Sequence, residues 1–153
     1  MRSMLLGLLV VCVVPCAHAG AWGYRAFEND DALDWISELE ATTGTQLLEA
    51  AVRQIDARAQ YVEAPACTIA LAAAEVIAAA NGLSAKNLPP KVGVWIKRIR
   101  PTVSVALLAE ARAAVGMCRS LQKSELRQLW QESKDEKLWL DETASLLSRL
   151  AAS

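Results

Sequence analysis

The helical spacing of apolar residues is the feature that most constrains the fold of this chain. From Leu47 to Ile55, apolar residues recur three and four positions apart, which places them on one face of a helix. Similar periodicity continues along the sequence after residue 20, and no stretch shows the strict alternation of a half-buried strand. We therefore predict an all-α fold, a compact single-domain bundle of about six to seven short and medium helices.

Capping residues and prolines set the expected helix boundaries. Asn29 or Asp30 caps the first helix, the pair Asn81-Gly82 ends the third, and Ser124 or Ser120 caps the sixth. The expected helices span roughly residues 30–40, 47–59, 65–81, 89–98 and 101–119, followed by one that begins at 120 or 124 and one that begins near 135.

Residues 1–19 have the composition of a secretory signal peptide. Arg2 provides the positive charge, Met4 to Val14 is an apolar run of eleven residues, and Ala17-His18-Ala19 fits a signal-peptidase site. The run is shorter than the roughly 20 residues that span a bilayer. We expect cleavage after Ala19, which leaves residues 20–153 as a helical domain in the periplasm or outside the cell, with no membrane span. The alternatives are an uncleaved anchor and lipidation at Cys16.

Composition excludes several classes of chemistry. His18 is the only histidine, and it lies in the predicted signal peptide. A mature chain without histidine has neither a Ser-His or Cys-His pair nor a histidine-ligated zinc site. Without Arg2, the 16 basic residues fall to 15 against 17 acidic residues, so the net charge is close to −2 and does not favour nucleic-acid binding. We expect no cofactor, no metal and no nucleic-acid partner.

Cys67 and Cys118 are the two cysteines that remain after cleavage. In an oxidising compartment they are expected to form one disulfide. Such a bond closes a loop of about 50 residues, which the chain-entropy account equates with roughly 4 kcal/mol. The alternatives are a redox pair, which lacks the usual C-x-x-C spacing, and two free buried thiols.

Three aspartates cluster where the first helix is expected to begin. The spacing of Asp30, Asp31 and Asp34 differs from that of the D-x-D-x-D-G calcium loop, so a divalent-cation site is the less favoured interpretation. Carboxylates in the first turn of a helix interact favourably with its dipole, and each stabilises the helix by about 0.3–1 kcal/mol. Asp34 lies one turn further on, and we expect it to pair with a cation such as Arg25 or Arg53.

Glu75 and Glu110 each stand alone among the apolar residues of an alanine-rich predicted helix. A carboxylate in such surroundings requires a hydrogen bond, a cation or a proton. Glu75 lies eight residues after Cys67, and Glu110 lies eight residues before Cys118. Antiparallel helices joined by the expected disulfide would therefore place both carboxylates at a similar depth, although not necessarily in contact.

Two interpretations of the lone glutamates are possible. In the first they form a carboxylate pair with one raised pKa, suited to general acid–base catalysis. In the second, which we favour, the role is structural. Glu75 then accepts hydrogen bonds from the backbone N–H groups of Trp22 and Gly23, or pairs with an arginine such as Arg112 or Arg53.

Five tryptophans are many for a chain of this length. We expect most of them to fill gaps left by alanine in the core. Trp139 lies within the charged stretch 134–142 and is the best candidate for an exposed residue that contacts a partner.

Several short segments are similar to those of a known bacterial family. The segments are Trp22-Gly23 followed by Phe27-Glu28-Asn29-Asp30-Asp31-Ala32 and Asp34-Trp35, then Tyr61-Val62-Glu63-Ala64, residues 72–79, and Leu126-x-x-Leu129-Trp130-x-x-Ser133. Together they resemble the family known as domain of unknown function 4259, over residues 20–151. The resemblance implies a helical single domain. It implies no activity, and no catalytic residue is carried over from it.

The combined observations favour a small non-enzymatic protein. The mature chain has no histidine, no nucleophile motif and no phosphate loop, but it has the features of an exported helical domain. We predict a binding or inhibitory protein of the immunity type, which caps another periplasmic or envelope protein with an acidic surface. The alternative is a carboxylate-dependent envelope hydrolase that uses Glu75, Glu110 and Asp34. A third option is a domain that only stabilises an assembly.

Overall fold

Seven α-helices follow one another in the part of the chain that the structure describes. The structure is a computed structural model that describes residues 21–56, 58–83 and 87–152, so the predicted signal peptide lies outside the described residues. The helices are α1 (Asp30–Glu40), α2 (Gln46–Arg53), α3 (Ala64–Ala80), α4 (Pro90–Ile99), α5 (Val105–Cys118), α6 (Glu125–Gln131) and α7 (Glu136–Ala151). In these ranges the only extended pairing is two isolated bridges, and the all-α prediction is confirmed. None of the described helices is long and apolar enough to cross a membrane.

Helix α3 is the centre of the bundle, because it packs against each of the other helices. Every residue from 70 to 79 is buried, and most of them are alanines. Pro65 stands in the first turn, where its missing N–H is not needed, and Gly82 follows the helix with a left-handed φ of 87°. The small side chains let the surrounding helices approach the α3 backbone closely.

A disulfide between Cys67 and Cys118 joins the first turn of α3 to the end of α5, as predicted. Close to this bond, Val62 forms an isolated bridge with Ser124 at the start of α6. The carboxylate of Glu125 accepts a hydrogen bond from the first backbone N–H of α3 at 2.7 Å. These contacts fix the beginning of α3 relative to α5 and α6.

Two predicted helices are shorter in the structure. Helix α2 ends at Arg53 instead of near Ala59, because the Asp56 side chain accepts a hydrogen bond from the Arg58 backbone N–H at 2.8 Å and forms a local turn.

Helix α5 begins at Val105 instead of Pro101 or Thr102. The Ser104 hydroxyl accepts a hydrogen bond from the Leu107 backbone N–H at 3.1 Å and caps the helix there. Ser104 is a typical N-cap residue, so the sequence contained the signal for the later start.

Two side chains lie in environments opposite to those expected. Trp139 was predicted to be exposed, but it is only 2% exposed and stacks on Trp130 with ring centroids 6.1 Å apart. Its charged neighbours Lys137 and Asp141 occupy the exposed side of α7 instead. The spacing of Leu33, Ile36 and Leu39 predicts that all three lie on the apolar face of α1, but Leu33 is 41% exposed.

Candidate functional site

A pocket of about 480 Å³ lies between the N-terminal segment (residues 21–29), α3 and α7. Apolar side chains such as Phe27, Leu71 and Trp139 form part of its lining. Among the described residues, the charged side chains of the lining are those of Arg25, Glu28, Glu75, Glu142 and Arg149. Small-molecule sites in proteins have volumes of roughly 300–1,000 Å³ and combine apolar walls with a few polar groups. This pocket is therefore the candidate functional site.

The N-terminal segment folds back on itself before α1 begins. Ala21 forms an antiparallel bridge with Asn29. The backbone N–H groups of Trp22 and Gly23 donate to the Glu28 carbonyl oxygen at 3.1 and 3.4 Å. The Asn29 side chain then caps the first turn of α1, which confirms one of the two predicted caps. These bonds hold the segment in a defined turn beside the pocket.

The Glu28 side chain fills the inside of this turn and orients Arg25. The Glu28 carboxylate accepts hydrogen bonds from the Arg25 backbone N–H at 3.2 Å and from Arg25 Nη1 at 2.9 Å, and it raises the pKa of Arg25. A Cβ atom at Gly23 would lie 2.0 Å from Glu28 Oε2. The guanidinium lies 4.8 Å from the centre of the Tyr24 ring, and Arg25 Nε is 3.8 Å from Glu142 Oε1. Arg25 thus links the N-terminal segment to α7.

Glu75 and Arg149 form a buried ion pair in the pocket lining. Arg149 Nη1 donates to Glu75 Oε2 at 2.7 Å, and Arg149 Nη2 donates to Glu75 Oε1 at 2.6 Å. The two side chains are 7% and 18% exposed, respectively. Arg149 also donates to the Leu83 carbonyl oxygen at 3.3 Å. Such a bidentate pair is among the stronger and more directional contacts in proteins, and it satisfies both oxygens of Glu75.

The partner of Glu75 differs from those predicted. The backbone N–H groups of Trp22 and Gly23 donate to a carbonyl oxygen instead, Arg53 binds other carboxylates, and the side chain of Arg112 is exposed. One sequence signal for the true partner was available. Arg149 is the only basic residue after Lys137, and it lies among leucines on the last helix, as Glu75 lies among alanines.

Glu110 does not line the pocket. Its Oε2 accepts a hydrogen bond from Arg53 Nε at 2.9 Å, and Arg53 also binds Glu49 at 2.9 Å. The Arg53 side chain is 55% exposed, and exposed pairs of this kind contribute little to stability. Glu75 and Glu110 are therefore bound to different arginines. The arrangement provides no carboxylate pair that shares a proton, so it offers no support for the hydrolase hypothesis.

Asp30, Asp31 and Asp34 are exposed on α1. Within the described ranges none of them forms an ion pair, because the expected partners Arg25 and Arg53 bind glutamates. The expected pairing of Asp34 was wrong. Among the residues that the structure describes, no three His, Cys, Asp or Glu side chains are grouped so that they could hold a metal ion.

Two further arginines hold α7 in place behind the pocket. Arg119 Nη1 donates to the Leu140 carbonyl oxygen at 2.8 Å and to the Thr143 hydroxyl. Arg127 binds the Glu136 carboxylate at 2.6 Å. Burial lowers the pKa of Arg119, and the positive charge of Arg127 lowers it further. Because Thr143 also lines the pocket, Arg119 supports the pocket side of α7.

A family model described as Domain of unknown function (DUF4259) matches residues 20–142. The match covers most of the chain, which therefore belongs to the DUF4259 family. The matched range includes the N-terminal segment, α3 and Glu142, but it ends before Arg149, so part of the pocket lies beyond it. No curated protein and no solved structure matches the chain.

Proposed function

We propose that this member of the DUF4259 family is an exported, non-enzymatic binding protein of the periplasm or cell envelope, which caps a basic partner protein through α1. The observation that carries the proposal is the acidic face of α1, formed by Asp30, Asp31, Asp34 and Glu38. All four side chains are exposed, and none forms an ion pair within the described residues.

Helix geometry places the four carboxylates together. At about 100° per residue they fall within an arc of about 100°, on the side of α1 opposite its buried residues. Asp30 and Asp31 lie in the first turn of α1, where their negative charges interact favourably with the helix dipole. Asp34 and Glu38 lie beyond that turn, where carboxylates one turn apart repel each other. A basic partner would relieve this repulsion.

Exposed apolar side chains accompany the acidic face. Leu33 lies at its edge on α1 and is 41% exposed, and Trp22 in the preceding segment is 60% exposed. Exposed tryptophans are typical anchors in protein interfaces. Their presence supports a protein partner.

An acidic cap would inhibit a partner whose active surface is basic. Charge complementarity of this kind accelerates association and selects the partner, as expected of a protein of the immunity type. The ion-paired states of Glu75 and Glu110 favour this non-enzymatic role over carboxylate catalysis.

The proposal is tested by affinity capture from an envelope extract of the source organism. The variant Asp34→Asn/Glu38→Gln removes two charges from the acidic face of α1. The matched control Glu63→Gln/Glu132→Gln removes two exposed charges elsewhere. We expect the wild-type protein and the control to retain one stoichiometric partner in a salt-sensitive manner, and the α1 variant to lose it.

Two outcomes would overturn the proposal. One is equal retention of the partner by the α1 variant and the control. The other is the absence of any stoichiometric partner at low salt with the wild-type protein. Thermal unfolding of all three proteins verifies that neither double substitution perturbs the fold.

A further inference from the structure

We infer that the pocket between the N-terminal segment, α3 and α7 binds a small organic cation, namely an ammonium or guanidinium group carried on an apolar stem. The inference goes beyond the capping function proposed for α1, because no residue of α1 lines the pocket. It rests on the charges of the lining, on the accessibility of one carboxylate, and on the apolar walls.

The first step concerns the pair in the pocket lining. Both oxygens of Glu75 are bound by the guanidinium of Arg149 at 2.6 and 2.7 Å, and the Glu75 side chain is 7% exposed. The two charges compensate each other, and the Arg149 side chain is only 18% exposed. They shape the pocket but leave no free charge for a ligand.

The second step concerns the remaining charges of the lining. Here the single guanidinium of Arg25 faces two carboxylates, those of Glu28 and Glu142. Arg25 donates a hydrogen bond to Glu28 at 2.9 Å, whereas its Nε only approaches Glu142 at 3.8 Å. Glu142 forms no hydrogen bond through its side chain within the described residues, and the side chain is 39% exposed. Among the residues that the structure describes, the lining holds three carboxylates and two guanidinium groups, which gives it an excess of one negative charge.

The third step concerns the walls that face this excess charge. The apolar wall consists of the partly exposed aromatic rings of Tyr24 and Phe27 together with Leu71, Trp139 and Leu146, each of which is at most 3% exposed. A ligand with one cationic group and an apolar stem would gain a charge-assisted hydrogen bond at Glu142 and bury its stem against these side chains. An anion of the same shape would face the excess negative charge and bind more weakly.

The test compares three probes of similar shape on the purified protein. The probes are 2-phenylethylamine, which is cationic, 2-phenylethanol, which is neutral, and 3-phenylpropanoate, which is anionic. Binding is followed by the NMR shift of the indole N–H of Trp139. We expect the amine to bind at least about tenfold more tightly than the alcohol, and the anion to bind most weakly.

Two variants assign the effect to one carboxylate. Glu142→Gln should weaken amine binding about tenfold, to the level of the alcohol, while leaving alcohol binding unchanged. Asp141→Asn is the matched control, because Asp141 is the preceding residue, is exposed and does not line the pocket. It should leave amine binding unchanged. Thermal unfolding verifies that both variants are folded.

The inference is overturned if the amine and the alcohol bind equally well, if the amine does not bind at about 10 mM, or if Glu142→Gln binds the amine as tightly as Asp141→Asn does. All of these measurements use the isolated protein. They therefore succeed or fail independently of the capture experiment on α1.

A second arm distinguishes the two sources of such a cation. The blocked peptide acetyl-Gly-Lys-Gly-amide is compared with its Nε-acetylated form and with 2-phenylethylamine. Tighter binding of the unmodified peptide than of the free amine assigns the pocket to a lysine side chain of a polypeptide. Tighter binding of the free amine assigns it to a small molecule.

Discussion

Glu75 lies inside an alanine-rich helix, where one guanidinium binds both of its oxygens. The partner, Arg149, is 74 positions away in the sequence. A buried ion pair of this kind does not necessarily stabilise a protein more than apolar residues would. Removing one partner of the pair is nevertheless costly, because the charge of the other partner then stays buried without compensation.

We expect Glu75→Gln to lower the free energy of unfolding by about 3 kcal/mol. The amide has no negative charge and accepts with only one atom, so the charge of Arg149 is left uncompensated. Urea denaturation followed by circular dichroism measures the change. Glu110→Gln is the matched control, because Glu110 belongs to an exposed pair, and its denaturation midpoint should remain close to that of the wild type. Equal midpoints for Glu75→Gln and the wild type would contradict a structural role for the pair.

A glycine is required at position 23 because the Glu28 side chain occupies the space that a Cβ atom would need. The backbone at this position is not left-handed. We expect Gly23→Ala to destabilise the protein by about 1 kcal/mol, because a Cβ atom 2.0 Å from Glu28 Oε2 forces that carboxylate away from Arg25. In Gly23→Ala/Glu28→Ala the obstructing carboxylate is absent. The double variant should therefore lose less stability than the sum of the two single variants. Additive losses in urea denaturation would show that the steric contact is unimportant.

Local chemistry explains which residue roles could be predicted. The cap at Asn29 depends only on residues within the first turn of α1, and it was one of the two caps predicted there. The need of Glu75 for an internal donor also follows from its apolar neighbours. Its partner did not follow from the sequence, because the packing of α7 against α3 brings Arg149 to Glu75. The arrangement of Arg25 between Glu28 and Glu142 depends on the same packing.

At the scale of elements, the disulfide fixes two helices that the sequence separates by 51 positions. The chain leaves Cys67 along α3 and returns to Cys118 along α5. Both cysteines are fully buried in the core, so their bond restrains the centre of the bundle and not its surface.

We expect reduction of this disulfide to lower the free energy of unfolding by about 4 kcal/mol, or less if the reduced chain remains compact when unfolded. The measurement is urea denaturation with and without a reducing agent. The variant Cys67→Ala/Cys118→Ala is the control. It should be destabilised to begin with and insensitive to the reducing agent. A wild-type midpoint that does not change on reduction would contradict the prediction.

The helices were easier to predict than some of their ends. α1, α3 and α4 follow strong caps, prolines and apolar spacing, and their predicted bounds agree with the structure to within about two residues. The end of α2 was missed because the apolar stripe continues to Ile55, which is buried although it lies outside the helix. Apolar spacing indicates which residues face the core. It does not show whether such a residue belongs to the helix or to a turn after it.

At the scale of the whole molecule, the family match and the pocket cover different parts of the chain. The match ends at residue 142, within α7, whereas the pocket also requires residues of the second half of that helix. The pocket is therefore a property of the complete bundle. The helical bundle agrees with the helical fold implied by the family resemblance. The pocket itself could not be predicted, because its walls meet only after α7 has packed against α3.

The export proposal makes a prediction about the size of the mature protein. We expect protein recovered from the envelope to begin at Gly20, because Ala17-His18-Ala19 fits a signal-peptidase site. Intact-mass measurement checks this. A mass equal to that of the whole chain would indicate an uncleaved anchor, and a lipid-modified mass beginning at Cys16 would indicate lipidation. Either result would contradict the proposed cleavage.

The pocket draws its walls from segments near residues 25, 75 and 149, and these segments are adjacent only in the fully assembled bundle. A chain in which α3 or α7 has unfolded at the residues that line the pocket has no pocket. An occupant therefore binds the closed state alone, and it should slow amide hydrogen exchange throughout the slowest-exchanging core by a common factor. Occupancy would then be detectable at amides far from the ligand.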